Sequence, residues 1–319
     1  MAESIVFGTA TEILKKIGSL VGGELSLLWN LDSDLRRLQG TMSAIKAVLL
    51  DAETKQTQNH QLRDWLGKLK DVFYDAEDKL PESICQLHKL ETFTLYGCYR
   101  LKKLPRNIRR MISLRHVEIT TKERYLRENG IGCLSSLRFL YLSGCGNLVR
   151  LFEGMQGLTS LRRLQIESCS LTSLPYSIKY LKRLEKVMIS NCQELNLKME
   201  FQGEDKDNLC LGVRKFIIEG LPSLVDLPQL ILQGSANTLQ CIMIEDCPKL
   251  VELPEWLQNL TSLQTLEILN CRSLSCLPEG MQRLTVLRQL KIQGCPALSE
   301  SCRRDQSKIA HVREVHLDE

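Results

Sequence analysis

One pattern of leucines and a cysteine recurs along most of this chain. It reads L-x-x-L-x-L-x-x-C-x-x-L-x-x-L, and a complete copy occupies residues 137–151. The stretch from the leading apolar residue to the cysteine returns at residues 161–169, 184–192, 239–247, 263–271 and 287–295. Repeats of this length are typical of a solenoid, in which each unit buries its apolar face only against its neighbours.

Inside each copy, apolar and other residues alternate as x-L-x-L-x, which is the period of a short β-strand. The inward pairs are Phe93/Leu95, Val117/Ile119, Leu140/Leu142, Leu164/Ile166, Val187/Ile189, Phe216/Ile218, Ile242/Ile244, Leu266/Ile268, Leu290/Ile292 and Val315/Leu317. The pattern is that of leucine-rich repeats. We therefore predict about ten repeats over residues 79–319, with a curved parallel β-sheet and a last repeat that caps the end.

Residues 1–78 have a different, helical period. Apolar residues at steps of 3 and 4 between Leu28 and Leu49 place one apolar stripe along a single helix. Two further helices are predicted at about residues 3–20 and 60–78. Short linkers favour an antiparallel intramolecular bundle, while the long stripe leaves self-association as an alternative. The predicted fold class is α+β: an N-terminal antiparallel helical bundle followed by a leucine-rich-repeat solenoid.

Residues 42–78 resemble the N-terminal coiled-coil (Rx-type) domain of plant coiled-coil nucleotide-binding leucine-rich-repeat (NLR) immune receptors. The cysteine-containing repeats and their Leu-Pro pairs resemble the repeat region of the same receptors. The resemblance implies a role in plant defence. It also implies that Asp75, Glu77 and Asp78 form an acidic motif that docks onto another part of a receptor.

The nucleotide-binding module of that family is predicted to be absent from this chain. Leu80-Pro81 already stands in register with Leu104-Pro105, two residues after Asp78. The phosphate-binding loop G-x-x-x-x-G-K-[ST] has no match, because the only Gly-Lys pair, Gly67-Lys68, has leucine five residues before the glycine. We therefore expect two domains, residues 1–78 and 79–319, and no bound ATP, ADP or other cofactor.

Composition and charge indicate where in the cell the protein is located and which classes of partner it is expected to bind. The 319 residues include 13 cysteines, and the formal net charge is +4. That charge is too small and too scattered to indicate nucleic-acid binding. Residues 1–20 lack the pattern of a secretory signal, and no apolar run approaches the ~18 residues that a membrane span needs. A cytoplasmic, reducing location is predicted.

Seven cysteines occupy the same position of the repeat: Cys98, Cys145, Cys169, Cys192, Cys247, Cys271 and Cys295. Disulfides or a metal site are one interpretation. Buried thiols that fill the bend after each strand are favoured, because equivalent side chains run parallel into the core. The sequence contains no C-x-x-C pair of the kind that binds zinc. It also contains no local catalytic motif, so neither a metal site nor an enzyme is predicted.

The strand positions between the leucines are predicted to face the concave side of the sheet. Tyr141, Met188, Ile217 and Met243 would there form an exposed apolar stripe, which usually marks a partner-binding site. Coverage of this face by loops or by the helical domain is the alternative.

A second row of the same face contains Arg115, Arg138 and Arg162 side by side. We hypothesise that the acidic motif contacts this arginine row, within one chain or between two chains. The N-terminal segment has a negative net charge and the repeat segment a positive one, and opposite charges permit such docking.

The sequence therefore predicts a non-enzymatic protein-recognition module. The expected partner is a protein: a pathogen effector, a guarded host protein or another immune receptor. A truncated regulatory decoy, or an inactive remnant that only associates with full-length receptors, remains the alternative.

Overall fold

A computed structural model describes residues 80–199, 201 and 209–318. The chain divides into two units, residues 1–79 and 80–319. The predicted helical bundle of residues 1–78 lies outside the described residues. The same holds for the acidic motif of Asp75, Glu77 and Asp78, so the arginine contact proposed for it remains a prediction.

Ten parallel strands form one sheet in sequence order. Their bounds are β1 Thr92–Leu95, β2 His116–Ile119, β3 Phe139–Ser143, β4 Arg163–Glu167, β5 Lys186–Ser190, β6 Lys215–Glu219, β7 Cys241–Glu245, β8 Thr265–Leu269, β9 Gln289–Gln293 and β10 Glu314–His316. Each strand pairs with the next at equivalent repeat positions, for example Leu266 with Leu290. The leucine-rich-repeat solenoid predicted from the periodicity is confirmed.

The strands bury the predicted alternate positions. In β8, Leu266 and Ile268 are fully buried, while Thr265, Glu267 and Leu269 on the other face are partly exposed. The buried side chains of successive repeats form one continuous apolar core. Because side chains alternate across a strand, this core lies on one side of the sheet, and the partly exposed side chains of the described strands lie on the other side. We call that other side the open face.

Short helices return the chain on the far side of the core. The described 3-10 helices span Glu82–Gln86, Ile108–Arg110, Ile131–Cys133, Met155–Gly157, Tyr176–Tyr180, Glu255–Asn259, Glu279–Arg283 and Gln306–Lys308, and the described α-helices are α1 Gln229–Gly234 and α2 Pro296–Arg304. Several 3-10 helices follow the proline of a Leu-Pro pair, whose ring holds φ near the helical value, as at Pro175 with φ −70°. None of the described helices has the length and apolarity required to cross a membrane.

A left-handed turn precedes the cysteine position in most repeats. The turn residue is glycine at Gly144 (φ 62°) and Gly294 (φ 67°), but a residue with a side chain at Ser168 (φ 50°) and Asn270 (φ 54°). Glycine adopts this backbone without steric cost, and asparagine tolerates it better than most residues. The turn directs the next side chain back into the core.

The cysteine thiols then bond weakly to the backbone. The Cys169 thiol donates to the Glu167 carbonyl at 3.3 Å and to the Leu142 carbonyl of the preceding repeat at 3.6 Å. Cys295 does the same with Gln293 at 3.4 Å and Ile268 at 3.7 Å. These contacts support the favoured interpretation of this position as a thiol that fills the bend after the strand. Cys98 differs from its equivalents because it is only half-buried.

The second repeat departs from this arrangement. Lys122 stands where a cysteine is expected and is exposed, while Thr120 and Thr121 are each 1% exposed. The Thr121 hydroxyl donates to the Leu101 carbonyl at 3.0 Å, so a buried hydroxyl replaces the thiol. A lysine is almost never buried without a partner, which accounts for the exposed position of Lys122 and the buried threonine beside it.

Candidate functional site

The open face carries its polar and apolar side chains in rows that run across the strands. Residues in the same position of successive strands are register partners, about 4.8 Å apart. We name four rows: the leading row directly before each strand, the first row, the middle row at the third strand position, and the trailing row at the fifth. Each row is therefore a line of neighbouring side chains, one from each repeat, on the open face.

The middle row contains the predicted apolar stripe. Met188, Ile217 and Met243 are register partners on β5, β6 and β7, and each is half-buried. Tyr141 lies two strands away on β3, with Gln165 of β4 in between. The structure thus brings three of the four predicted residues together, and separates the fourth by one polar side chain.

A basic triad stands in the first row beside this stripe. Arg163, Lys186 and Lys215 are consecutive register partners on β4, β5 and β6. No ion pair within the described part of the chain involves any of the three. Three like charges about 4.8 Å apart repel one another, so this band favours an anionic partner.

The trailing row is acidic opposite the triad. Glu219 and Glu245 are register partners on β6 and β7. Partial burial raises the pKa of the Glu245 carboxyl above its ordinary value, and the neighbouring Glu219 carboxylate raises it further. The first and trailing positions of one strand lie about 13 Å apart. The open face is therefore basic on one side of the stripe and acidic on the other.

The leading row contains the three predicted arginines in adjacent repeats. Its backbone continues the sheet, since the Arg138 amide donates to the Arg115 carbonyl at 2.8 Å and the Arg162 amide to the Arg138 carbonyl at 2.9 Å. Two side chains already have acidic partners: Arg115 pairs with Glu91 at 3.2 Å and Arg162 with Glu185 at 3.1 Å. Among the predicted arginines, only Arg138 has no ion pair with a described residue.

An aromatic cluster near β1 to β3 was not predicted from the sequence. The rings of Tyr96 and Tyr141 stack with centroids 6.1 Å apart, and the Phe139 ring lies 4.3 Å from that of His116 and 6.3 Å from that of Tyr141. The Tyr141 hydroxyl donates to the Glu167 carboxylate. Burial, together with this hydrogen bond, raises the pKa of Tyr141 to about 12. The sequence signal that could have indicated this cluster is the repeat register, because it places aromatic residues from neighbouring repeats side by side.

A groove lined mostly by long polar side chains, which expose both their polar and their apolar parts, opens at the leading edge of β6 to β9. Its volume is about 370 Å³, and its lining residues are Arg214, Asn237, Thr238, Gln240, Thr261, Ser262, Gln264, Val286 and Arg288. The sequence pattern does not reveal this groove, because its lining comes from four repeats and from the turns before the strands. Across residues 80–199, 201 and 209–318, no group of three or more His, Cys, Asp or Glu side chains is arranged to hold a metal ion.

Comparison with known proteins gives a family for the N-terminal part. The Rx N-terminal domain family matches residues 10–115. This match extends past residue 80 into the repeats described above. Disease resistance protein RGA2 of Solanum bulbocastanum is 36% identical over 93 residues, which are 29% of this chain and 10% of that protein. Disease resistance protein Pik-2 of Oryza sativa subsp. japonica is 26% identical over 73 residues, 22% of this chain and 7% of that protein. The matched segment thus spans about a tenth or less of these curated relatives.

Solved structures share the repeat fold. The leucine-rich repeat domain of the type III effector XopL superposes with a TM-score of 0.52 at 18% identity, covering 100% of this chain and 97% of that one. A chain of the Toll–Spätzle complex of Drosophila superposes with a TM-score of 0.58 at 19% identity, covering 75% of this chain and 34% of that one. At these identities the likeness shows the fold alone. The Rx N-terminal match, the similarity to plant disease resistance proteins and the repeat fold together make this chain similar to plant NLR proteins with leucine-rich repeats.

Proposed function

We propose that the open face of the repeat sheet binds another protein, and that this binding serves plant defence. The observation that supports the proposal is the banded face of β4 to β7, with its basic triad, apolar stripe and acidic trailing row. Each band consists of register partners, so the bands run side by side across several repeats. The defence role is supported by the relatives, which are disease resistance proteins.

The bands have different roles in such a complex. Burial of Met188, Ile217 and Met243 against an apolar surface releases water and supplies affinity. The flanking charges contribute more to orientation and to the rate of association, because exposed ion pairs are individually weak. A partner with an acidic side and a basic side fits in one orientation and is repelled in the opposite one.

The partner is a pathogen effector, a guarded host protein or another immune receptor, and the chain acts as a cytoplasmic, non-catalytic module. The three partner classes share the need for a protein surface of complementary charge. Repeat proteins change their binding specificity through exposed strand positions while the buried positions keep the fold. In this chain those exposed positions are the four rows of the open face.

The test uses the full-length chain as bait in infected and uninfected leaf extracts. Replacing Met188 and Ile217 with lysine places charge in the apolar stripe, and we expect the captured partner to be lost. Val251→Lys is the matched control, because Val251 is 55% exposed and lies outside the strands. The proposal fails if the stripe variant and the control capture the same proteins in the same amounts as the unmodified chain.

The same experiment addresses the decoy alternative. A decoy would capture only full-length NLR receptors, in equal amounts from both extracts and independently of the stripe. Calorimetry with ATP and with ADP is a separate check on the predicted lack of nucleotide binding. Saturable binding of either nucleotide would show that prediction to be wrong.

A further inference from the structure

We propose that the groove at the leading edge of β6 to β9 binds an acidic segment of a partner protein, with two carboxylate side chains of an extended peptide held by the arginines at its two ends. This inference deepens the proposed function, since it adds a second contact beside the banded face and names the chemistry of what binds there. The groove is distinct from the arginine row at Arg115, Arg138 and Arg162, which lies in earlier repeats.

The sheet itself positions the ends and the floor of the groove. Arg214 precedes β6 and Arg288 precedes β9, with Gln240 and Gln264 in the two repeats between them. The backbone is continuous across these repeats: the Gln240 amide donates to the Arg214 carbonyl, the Gln264 amide to the Gln240 carbonyl, and the Arg288 amide to the Gln264 carbonyl, at 2.9, 2.9 and 2.8 Å. The four side chains therefore project from a rigid edge. The volume of about 370 Å³ is within the range of ligand sites.

The leading row changes its charge pattern at this place. In earlier repeats Arg115 has Glu91 as its partner and Arg162 has Glu185. In the groove, glutamines stand beside the arginines, and neither Arg214 nor Arg288 forms an ion pair within the described part of the chain. Glu185, the neighbour of Arg214 on its other side, is engaged by Arg162 at 3.1 Å. Two permanently charged guanidinium groups thus line a groove in which none of the described lining residues is a carboxylate.

The spacing of the groove distinguishes a peptide from a single small anion. Arg214 and Arg288 are three strand spacings apart, which is about 14 Å at ~4.8 Å per spacing. That spacing separates the backbone positions, so one phosphate would have to draw both guanidinium groups together from the two ends of the groove, against their mutual repulsion. Acidic side chains at positions i and i+4 of an extended peptide are about 13 Å apart. An extended acidic segment therefore reaches both ends.

The residues between the arginines suit the peptide backbone. The carboxamides of Gln240 and Gln264 each offer a donor and an acceptor, as the peptide groups between the two acidic residues do. The Thr238 hydroxyl is already used inside the protein, since it donates to the Val213 carbonyl at 3.0 Å. It therefore forms part of the wall. Guanidinium groups bind carboxylates through paired hydrogen bonds, which makes the two ends the specific contacts.

The test measures binding of hexaglutamate to the full-length chain by calorimetry at low salt. We expect saturable binding, weakened about tenfold by Arg214→Gln and by Arg288→Gln, because each removes a charge-assisted contact. Arg109→Gln is the matched control, since this exposed arginine lies on a 3-10 helix outside the groove and the strands, and it should leave the affinity within about twofold. Lys186→Gln is a comparison variant that measures any contribution of the basic triad, because it removes one charge of the triad and leaves the groove intact. Circular dichroism of each variant verifies that the fold is retained.

Three outcomes would overturn the assignment. Equal binding by the unmodified chain and the Arg214→Gln, Arg288→Gln double variant places the peptide elsewhere. A larger loss with Lys186→Gln than with the groove variants assigns the binding to the basic triad. If inorganic phosphate displaces hexaglutamate and binds with the higher affinity of the two, the groove is a phosphate site. None of these outcomes affects the stripe variants in leaf extract, so failure of the groove and failure of the proposed function are distinguishable.

Discussion

Replacing Asp318 with asparagine tests how the last repeats of the described solenoid are held together. In inner repeats, the amide of the turn residue donates to the carbonyl of the following strand, as Asn270 does to Gln293 at 2.7 Å. At the last turn the carboxylate of Asp318 takes the place of that carbonyl. It accepts hydrogen bonds from the Gly294 amide at 2.6 Å and from the Cys295 amide at 2.9 Å.

The expected cost follows from these two bonds. Asparagine has one acceptor oxygen and presents its amino group, a donor, to the second backbone amide. In the Asp318→Asn variant, one of the two hydrogen bonds from the Gly294 and Cys295 amides is then made to a neutral acceptor, and the other is lost. Hydrogen bonds to charged groups contribute about 1.5–3 kcal/mol each. Because Asp318 is only partly buried, solvent reduces that value, and we expect the free energy of unfolding to fall by about 1–2 kcal/mol.

The effect should depend on pH with a definite sign. Burial tends to raise the pKa of Asp318, but the hydrogen bonds from the Gly294 and Cys295 amides outweigh it and hold the pKa below its ordinary value of 3.8. The carboxylate therefore stabilises the fold above the pKa of the unfolded chain. That stabilisation is lost as pH falls through the lower folded-state pKa. The difference between the variant and the unmodified chain should shrink in the same interval.

Two measurements check this reasoning. Urea unfolding gives the free energy, and hydrogen exchange of the 289–299 segment reports the two amides directly. Glu314→Gln is the matched control, since this exposed carboxylate lies four residues earlier, on β10, and accepts none of these bonds. If Asp318→Asn exchanges at the same rate as the control, or if its cost is unchanged from pH 7 to pH 2, the capping role is wrong.

Three further predictions concern single side chains. Ser168→Gly should raise the free energy of unfolding by about 0.5–1 kcal/mol, because glycine relieves the left-handed backbone at φ 50°; equal or lower stability in urea would contradict this. Leu266→Ala should lower it by about 2–5 kcal/mol, because the side chain is fully buried, whereas exposed Val251→Ala should change it by less than about 0.5 kcal/mol. Glu245→Gln should stabilise the protein at pH 7 but not below pH 4, because burial and Glu219 raise the Glu245 pKa and make its ionised form unfavourable; a gain that is independent of pH would contradict that cause.

Most of the repeat architecture could be predicted from local periodicity. The alternation around Leu164 and Ile166, for example, identifies both the strand and the side that is buried. The thiol position was also predictable, because it recurs at a constant distance from the strand. The second repeat shows the limit, since Lys122 visibly interrupts the cysteine pattern but does not reveal that the Thr121 hydroxyl takes the place of the thiol.

The candidate site was predictable only as a set of rows. The sequence predicted that Met188, Ile217 and Met243 share one row, and the register confirms it. It did not predict that Arg162 would pair with Glu185 while Arg214 stays without an ion pair among the described residues. Both arginines have the same repeat position and the same local pattern. Only the side-chain conformations on the assembled sheet distinguish them.

The sequence by itself determined which residues form the strands, which of them are buried, and which exposed positions are neighbours. The physical reason is that a period of two sorts side chains to opposite faces, and a nearly constant repeat length sets the register between strands. Only the tertiary structure decided which charges neutralise each other, where Asp318 completes the last turn, and where the groove opens. These features depend on distances of a few ångströms between side chains from different repeats, and no periodicity along the chain specifies such distances.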